Sequence, residues 1–299
     1  MKLLEGVYSA LFSVYDEQLN VKKDTVEKMI NYQLDNGIKG FYVGGATGEC
    51  VVLPAKTRKQ MLEASVEVNK GRGQIVAHIG ASHFEETMEL LDHANNMDID
   101  AISSLPPSLM GYYGLSEIVD YYKTLAKKSK HPIYAYINPY VASVMSANLV
   151  GFAKEMANID NIVGLKISLA DYYAFGKVAT SVGDKLNLLN GPDECFICGL
   201  SIGADGAIGT TYNIAPKLAV EIYDKFKAGD MAGALVTQRK MNDIIGVVLG
   251  KNIAGWKDVL RVMGYDMGYT VYPAKLQNEE ELQILKANLE KINFFDMVK

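Results

Sequence analysis

Cysteine is scarce in this chain, with three residues in 299. An odd count in a chain of this length does not suggest a disulfide framework. Histidine is nearly as rare. The four present, His78, His83, His93 and His131, show no metal-ligand spacing such as His-Glu-x-x-His, so no metal is expected. No apolar stretch reaches the roughly 18 residues needed to span a bilayer. The apolar part of Met1-Lys2-Leu3-Leu4-Glu5-Gly6 is too short for a signal peptide. There is no run of Lys and Arg. The net charge of -5 and pI of about 5.5 argue against nucleic acid as a partner. No low-complexity segment or linker interrupts the chain. These absences point to a soluble cytosolic protein.

What is present is a large globular composition, 49% hydrophobic and 22% charged. Short apolar runs fall at 6–11, 40–43, 74–79, 101–104, 132–136, 162–166, 186–190 and 206–209. Amphipathic stretches separate them, at 22–36, 56–70, 84–96, 116–128, 146–157, 171–181 and 194–203. Asp24, Ser116 and Ser146 are plausible helix caps, and Asn36-Gly37 and Lys70-Gly71 read as helix stops. Eight strand signals alternating with helices predict an α/β fold, a (β/α)8 barrel. Only helical periodicity follows, at 217–227, 231–249, 255–263 and 278–292. The chain therefore divides into residues 1–215, the barrel strands and interleaved helices, and 216–299, a barrel-closing helix with a C-terminal helical extension. An open doubly wound sheet is the weaker alternative, because no Gly-x-Gly-x-x-Gly turn follows the first strand.

A barrel gathers its chemistry at the C-terminal ends of its strands. Lys166 ends the run Asn161-Ile162-Val163-Gly164-Leu165-Lys166. Burial among Val, Leu and Ile disfavours an ammonium ion and lowers its pKa. A neutral amine attacks a ketone and forms a Schiff base, an electron sink that needs no cofactor. The plain alternative is a lysine snorkelling to water from a strand end. Gly44-Gly45-Ala46-Thr47-Gly48-Glu49 offers backbone N–H groups and one hydroxyl to a carboxylate, or is simply a tight strand-to-helix turn. A phosphate fits less well, because no P-loop Lys follows. Tyr136, one of 18 tyrosines, is placed to relay a proton, or to pack. Asp193-Glu194 suits either a helix N-terminus or the hydroxyls of a polyol. Cys195-Phe196-Ile197-Cys198 has the spacing of a redox pair without the strand context. It reads as small, buried helix residues.

Taken together, four segments carry a resemblance. Gly44-Gly45-Ala46-Thr47-Gly48-Glu49, Tyr136-Ile137-Asn138-Pro139, Gly164-Leu165-Lys166 and Gly203-Ala204-Asp205-Gly206-Ala207-Ile208-Gly209 look like signature segments of the N-acetylneuraminate lyase / dihydrodipicolinate synthase superfamily, in order along the whole chain. The resemblance implies a (β/α)8 barrel, usually a homotetramer, and a pyruvate Schiff base on Lys166. It implies that Tyr136 is the proton relay, and that Thr47 helps to hold the pyruvate carboxylate and hydrogen-bonds the tyrosine. A tyrosine from a neighbouring subunit usually joins them, with Tyr112 or Tyr113 as candidates. The synthases carry Arg where this chain has Val141, and an apolar residue cannot clamp a carboxylate. Asn190-Gly191-Pro192-Asp193-Glu194 instead resembles the sugar-tail segment of the sialic acid lyases, and Gly209-Thr210-Thr211-Tyr212-Asn213 their following loop. Gly191, Asp193, Glu194 and Thr210 are then substrate-binding, and Ser168 faces the polyol. Ala46 stands where the family has Ser or Thr, and Tyr136-Ile137-Asn138-Pro139 inverts the usual Tyr-Asn-Ile-Pro order. The sialic acid lyase is the leading expectation. An aldolase for another 2-keto-3-deoxy sugar acid and a weak keto-acid-binding paralogue are the alternatives.

Overall fold

The computed structural model describes residues 2–107, 113–144 and 148–299. Its strands are β1 (Gly6–Ala10), β2 (Gly40–Val43), β3 (Gln74–His78), β4 (Ala101–Ser104), β5 (Ile133–Ile137), β6 (Ile162–Ile167), β7 (Asn187–Asn190) and β8 (Gly206–Gly209). All neighbours pair in parallel in chain order, and β8 pairs with β1, which closes the barrel. Parallel strands covered by helices are buried on both faces, so they appear in the sequence as continuous apolar runs. β1, β2, β5 and β7 are buried at every position.

Side chains alternate across each strand, and this alternation separates two cores. Tyr8, Ala10, Tyr42, Val76, Ala101, Tyr134, Leu189 and Ile208 fill the barrel. Val7, Phe41, Ile75, Ile102, Ile133, Leu165 and Leu188 face outward to the helices. The interior tyrosines bring hydroxyls into this core, and each is satisfied there: Tyr8 by Gln74 at 2.6 Å, Tyr42 by Ser103 at 2.9 Å and Tyr134 by Asn187 at 2.6 Å. Gly164 makes room for one of them. A Cβ at this position would lie 2.3 Å from the Tyr134 ring.

The outer layer contains α1 (Lys23–Asp35), α2 (Ala55–Asn69), α3 (Phe84–Ala94), α4 (Leu115–Lys128), α5 (Pro139–Val144), α6 (Leu149–Met156), α7 (Tyr172–Val182) and α8 (Phe196–Ser201). Residues 216–299 form α9 (Pro216–Lys227), α10 (Met231–Val248), α11 (Ile253–Val262), α12 (Glu279–Lys291) and α13 (Phe294–Met297). Among the described residues no helix is long and apolar enough to cross a membrane.

Several expected details change. Asp24 lies in the first turn of α1 and Lys22 takes the cap position. Gly114, not Ser116, caps α4, and its N–H donates to the Glu117 carboxylate at 3.0 Å. Ser146 lies outside the described residues, and Asn148 caps α6 by accepting the Gly151 N–H at 2.9 Å. The stretch 194–203 is not one helix. A 3-10 turn, Asp193–Cys195, precedes a short α8. Asn36-Gly37 and Lys70-Gly71 do end their helices, with Gly37 at φ +90° and Gly71 at φ +72°.

Candidate active site

Lys166 faces the barrel interior near the C-terminal end of β6, directly beside Tyr136 in the β5–β6 register. It is only 5% exposed. Its Nζ lies 4.3 Å from the ring centres of both Tyr42 and Tyr136. Burial pulls its pKa down to about 8, against the opposing pull of Asp193 and, after it, Cys50. At pH 7 about one amine in ten is then neutral, against roughly one in three thousand for an unperturbed lysine. Imine formation with pyruvate is therefore expected to accelerate between pH 6 and 8 and level off above about 8. Borohydride-trapping rates measured across that range check this. A rate still climbing at pH 10 would mean an unperturbed amine.

Tyr136 is buried and meets the rings of Tyr42 and His78 edge-on, each at 6.2 Å. Burial pushes its phenol above the usual range, while a hydrogen bond with Ser168 acts in the opposite direction. It is therefore a neutral hydroxyl at neutral pH, able to donate or to accept. The expected bond from Thr47 to Tyr136 is not the one formed. Thr47 Oγ1 shares a 2.6 Å hydrogen bond with Thr210 Oγ1 across the barrel mouth. This joins the second and eighth strand ends, and the phenol aligns with β6 instead.

The turn carrying Ala46 and Thr47 rests on two groups that sequence reasoning missed. Arg58, buried on α2, donates to the carbonyls of Gly44 at 3.4 Å, Cys50 at 3.4 Å and His78 at 2.9 Å. His78 Nε2 accepts the Leu105 N–H at 3.1 Å, which assigns the ring proton to Nδ1, 3.0 Å from the Gly44 carbonyl. Burial, with the Arg58 and Lys166 charges, holds the imidazole well below its usual pKa, so it stays neutral. An arginine among the inward-facing residues Thr57, Arg58, Met61 and Leu62 of α2 was the available signal. Ala46 is exposed at the tip of the turn.

The seventh strand end completes the mouth. Gly191 N–H donates to the Ile167 carbonyl at 2.8 Å. A Cβ there would lie 1.9 Å from Ser168 Oγ, so glycine alone leaves that hydroxyl its place. Asp193 is buried, and its Oδ2 accepts the Thr211 N–H at 2.6 Å. Burial raises its pKa to about 6, moderated by the Thr211 bonds. Glu194 is exposed. α10 holds this turn: Gln238 Nε2 donates to the Asp193 carbonyl at 2.9 Å and Asn242 Nδ2 to that of Glu194 at 3.0 Å. A cavity of about 190 Å³ opens between Gly191, Asp193, Glu194, Thr210, Ile245 and Trp256.

Tyr112 lies outside the described residues, and Tyr113 is 43% exposed. Cys198 is exposed and Cys195 half-buried, contrary to the expectation of buried helix residues. Among the described residues no group of three or more His, Cys, Asp or Glu is arranged to hold a metal.

A buried, partly neutral lysine beside a tyrosine hydroxyl, at a barrel mouth that also holds the Thr47 turn and the Asp193 cavity, is suited to covalent chemistry on a carbonyl group. Comparison with known proteins identifies similar chains. The chain is 31% identical over 279 residues to an N-acetylneuraminate lyase of Clostridium perfringens, covering 93% of this chain and 96% of that one. The Fusobacterium nucleatum enzyme of the same name is 29% identical over 286 residues, covering 95% and 97%. Among solved structures, Proteus mirabilis N-acetylneuraminate lyase superposes with a TM-score of 0.89 at 28% identity, covering 97% of this chain and 99% of its own. A catalytic lysine mutant of Ruminococcus gnavus sialic acid aldolase superposes with a TM-score of 0.89 at 27% identity, covering 98% of each chain. Residues 3–292 match the family model described as the dihydrodipicolinate synthetase family, and the chain belongs to that family.

Proposed function

We propose that this chain is a Schiff-base carbon–carbon lyase that reversibly cleaves N-acetylneuraminate to N-acetylmannosamine and pyruvate. The observation that carries the reading is Lys166, buried near a barrel strand end with its pKa lowered to about 8 and its Nζ against Tyr136. The names of the relatives support the substrate. The neutral Nζ attacks the C2 ketone of the open-chain sugar acid, and loss of water leaves a protonated imine. Tyr136 gives its proton to the carbinolamine hydroxyl as that leaves as water, and the phenolate so formed, acting through the substrate carboxylate, accepts the proton of the C4 hydroxyl. The C3–C4 bond breaks, its electron pair moves into the imine to form an enamine, and the aldehyde leaves as N-acetylmannosamine. Protonation of the enamine at C3 and hydrolysis release pyruvate and restore Lys166.

In this reading the Gly44–Gly48 turn and the Thr47 hydroxyl hold the carboxylate, with Ala46 contributing backbone only. Ser168, Gly191, Asp193, Glu194 and Thr210 receive the polyol tail. Val141, where the synthases place Arg, is fully buried and offers no charge to a second carboxylate. We place the enzyme in the cytosol, consistent with three free cysteines. On the family resemblance we assign it a homotetramer in which Tyr112 or Tyr113 of a neighbouring subunit completes the site. Pyruvate release from N-acetylneuraminate, followed by coupled lactate dehydrogenase, tests the assignment. Turnover is expected with this substrate. Release only from shorter 2-keto-3-deoxy acids would move the assignment to another aldolase, and no release from any would leave a binding protein.

A further inference from the structure

Glu49 and Lys257 form an ion pair closed off from water. Glu49 is 4% exposed and Lys257 0%, and Nζ lies 2.5 Å from Oε1. Tyr15 donates its hydroxyl to the other oxygen, Oε2, at 2.7 Å. The Tyr15 ring lies 4.5 Å from Nζ. Nζ also donates to the Tyr269 carbonyl at 3.3 Å, and the Val271 N–H donates to the Tyr15 hydroxyl at 3.3 Å. The reaction written above uses none of these groups.

Each half of the pair is built into a different wall of the site. Glu49 ends the turn that carries Thr47. Its N–H donates to the Ala46 carbonyl at 3.0 Å, and it sits at φ +62°, in the left-handed region that side chains other than glycine avoid. Ser13 holds the next carbonyl back, Gly48, at 2.8 Å. Lys257 lies on α11 immediately after Trp256, which lines the tail cavity. A buried ion pair is a poor way to gain stability, because desolvation offsets most of the attraction and a well-packed apolar pair often does as well. Its better-attested use is to specify one arrangement, since a charge without its partner cannot stay buried. We infer that Glu49 and Lys257 are a positioning pair, which locks the carboxylate-binding turn to the helix that walls the sugar tail and so sets the distance between the two ends of the substrate. The inference rests on the proposed lyase reading.

The decisive variant is the double substitution Glu49→Leu with Lys257→Met, which leaves no unpaired charge. It is expected to melt within a few degrees of the parent. Its half-saturation for pyruvate in borohydride trapping should rise about ten- to hundredfold, as misplacement of a binding group predicts. Backbone amides at 44–49 should exchange hydrogen faster. A purely structural pair would alter melting without these changes, so a double variant with the parent's half-saturation and exchange protection would overturn the inference. If the double variant does not fold, Tyr15→Phe removes the hydroxyl that donates to Glu49 and accepts the Val271 N–H, and leaves the ion pair in place. A severalfold rise in half-saturation with faster exchange at 44–49 is then expected, and parental values for both would overturn the inference. If the parent itself traps no pyruvate, it is the lyase reading that fails, and the exchange at 44–49 still decides the pair.

Discussion

Replacing Lys166 with methionine or alanine is expected to abolish the borohydride-trapped pyruvate adduct and to lower turnover by on the order of 10⁴- to 10⁶-fold, the scale seen when a covalent nucleophile is removed. The two variants differ in what they do to the fold. Alanine opens a void between the Tyr42 and Tyr136 rings, whereas methionine fills most of it. The stability effect has a definite sign. The folded-state pKa of Lys166 is depressed to about 8 from 10.5. Its contribution to stability is therefore intact above the unfolded pKa and is lost as pH falls through 8. At pH 7 the buried amine costs roughly 3 kcal/mol on this scale. Lys166→Met is thus expected to melt higher than the parent at pH 6–7, with the advantage shrinking toward pH 10. Arginine does not substitute, because its guanidinium stays charged and is not a nucleophile. A stable pyruvate adduct on the methionine variant would remove Lys166 from the covalent role.

Tyr136→Phe carries the second large effect. Only a hydroxyl is removed. The ring keeps its edge contacts with Tyr42 and His78, so melting should shift little. Cleavage of N-acetylneuraminate is expected to slow by about 10²- to 10⁴-fold, the usual contribution of a positioned acid–base group. Pyruvate should still form its adduct, at a lower rate, because Lys166 remains buried and partly neutral. Single-turnover kinetics separate the two steps. Cleavage at the parental rate would return the relay to another group, with Thr47–Thr210 the next hydroxyls to test.

The barrel was legible because its strands are buried on both faces. A run such as Ile133–Ile137 has no polar side to confuse with a helix, and Gly punctuation marked where the helices stop. The site was legible in part. Lys166, Tyr136, Thr47 and Asp193 stand out as polar or ionisable groups at strand ends, and the barrel brings strand ends together. Arg58 and His78 were not legible as a brace. Nothing in their spacing shows that both meet the carbonyl of Gly44, from a helix and from the adjacent strand. The Thr47–Thr210 bond was not legible either, where the resemblance implied a bond to Tyr136, since strands two and eight touch the same mouth only once the barrel closes.

By itself the sequence determined where the eight strands lie, that helices alternate with them, and that Lys166 sits on a strand where water is excluded. These follow from local pattern, because burial and propensity act on neighbouring residues. Only the tertiary structure decided what holds the site in shape. α10 grips the Asp193–Glu194 turn through Gln238 and Asn242, and α11 meets the Thr47 turn through Lys257 and Glu49. Those pairs are separated by tens to hundreds of positions along the chain. Hydrogen bonds and buried charges choose their partners by distance in space, and that distance exists only after the helical extension has folded back onto the barrel mouth.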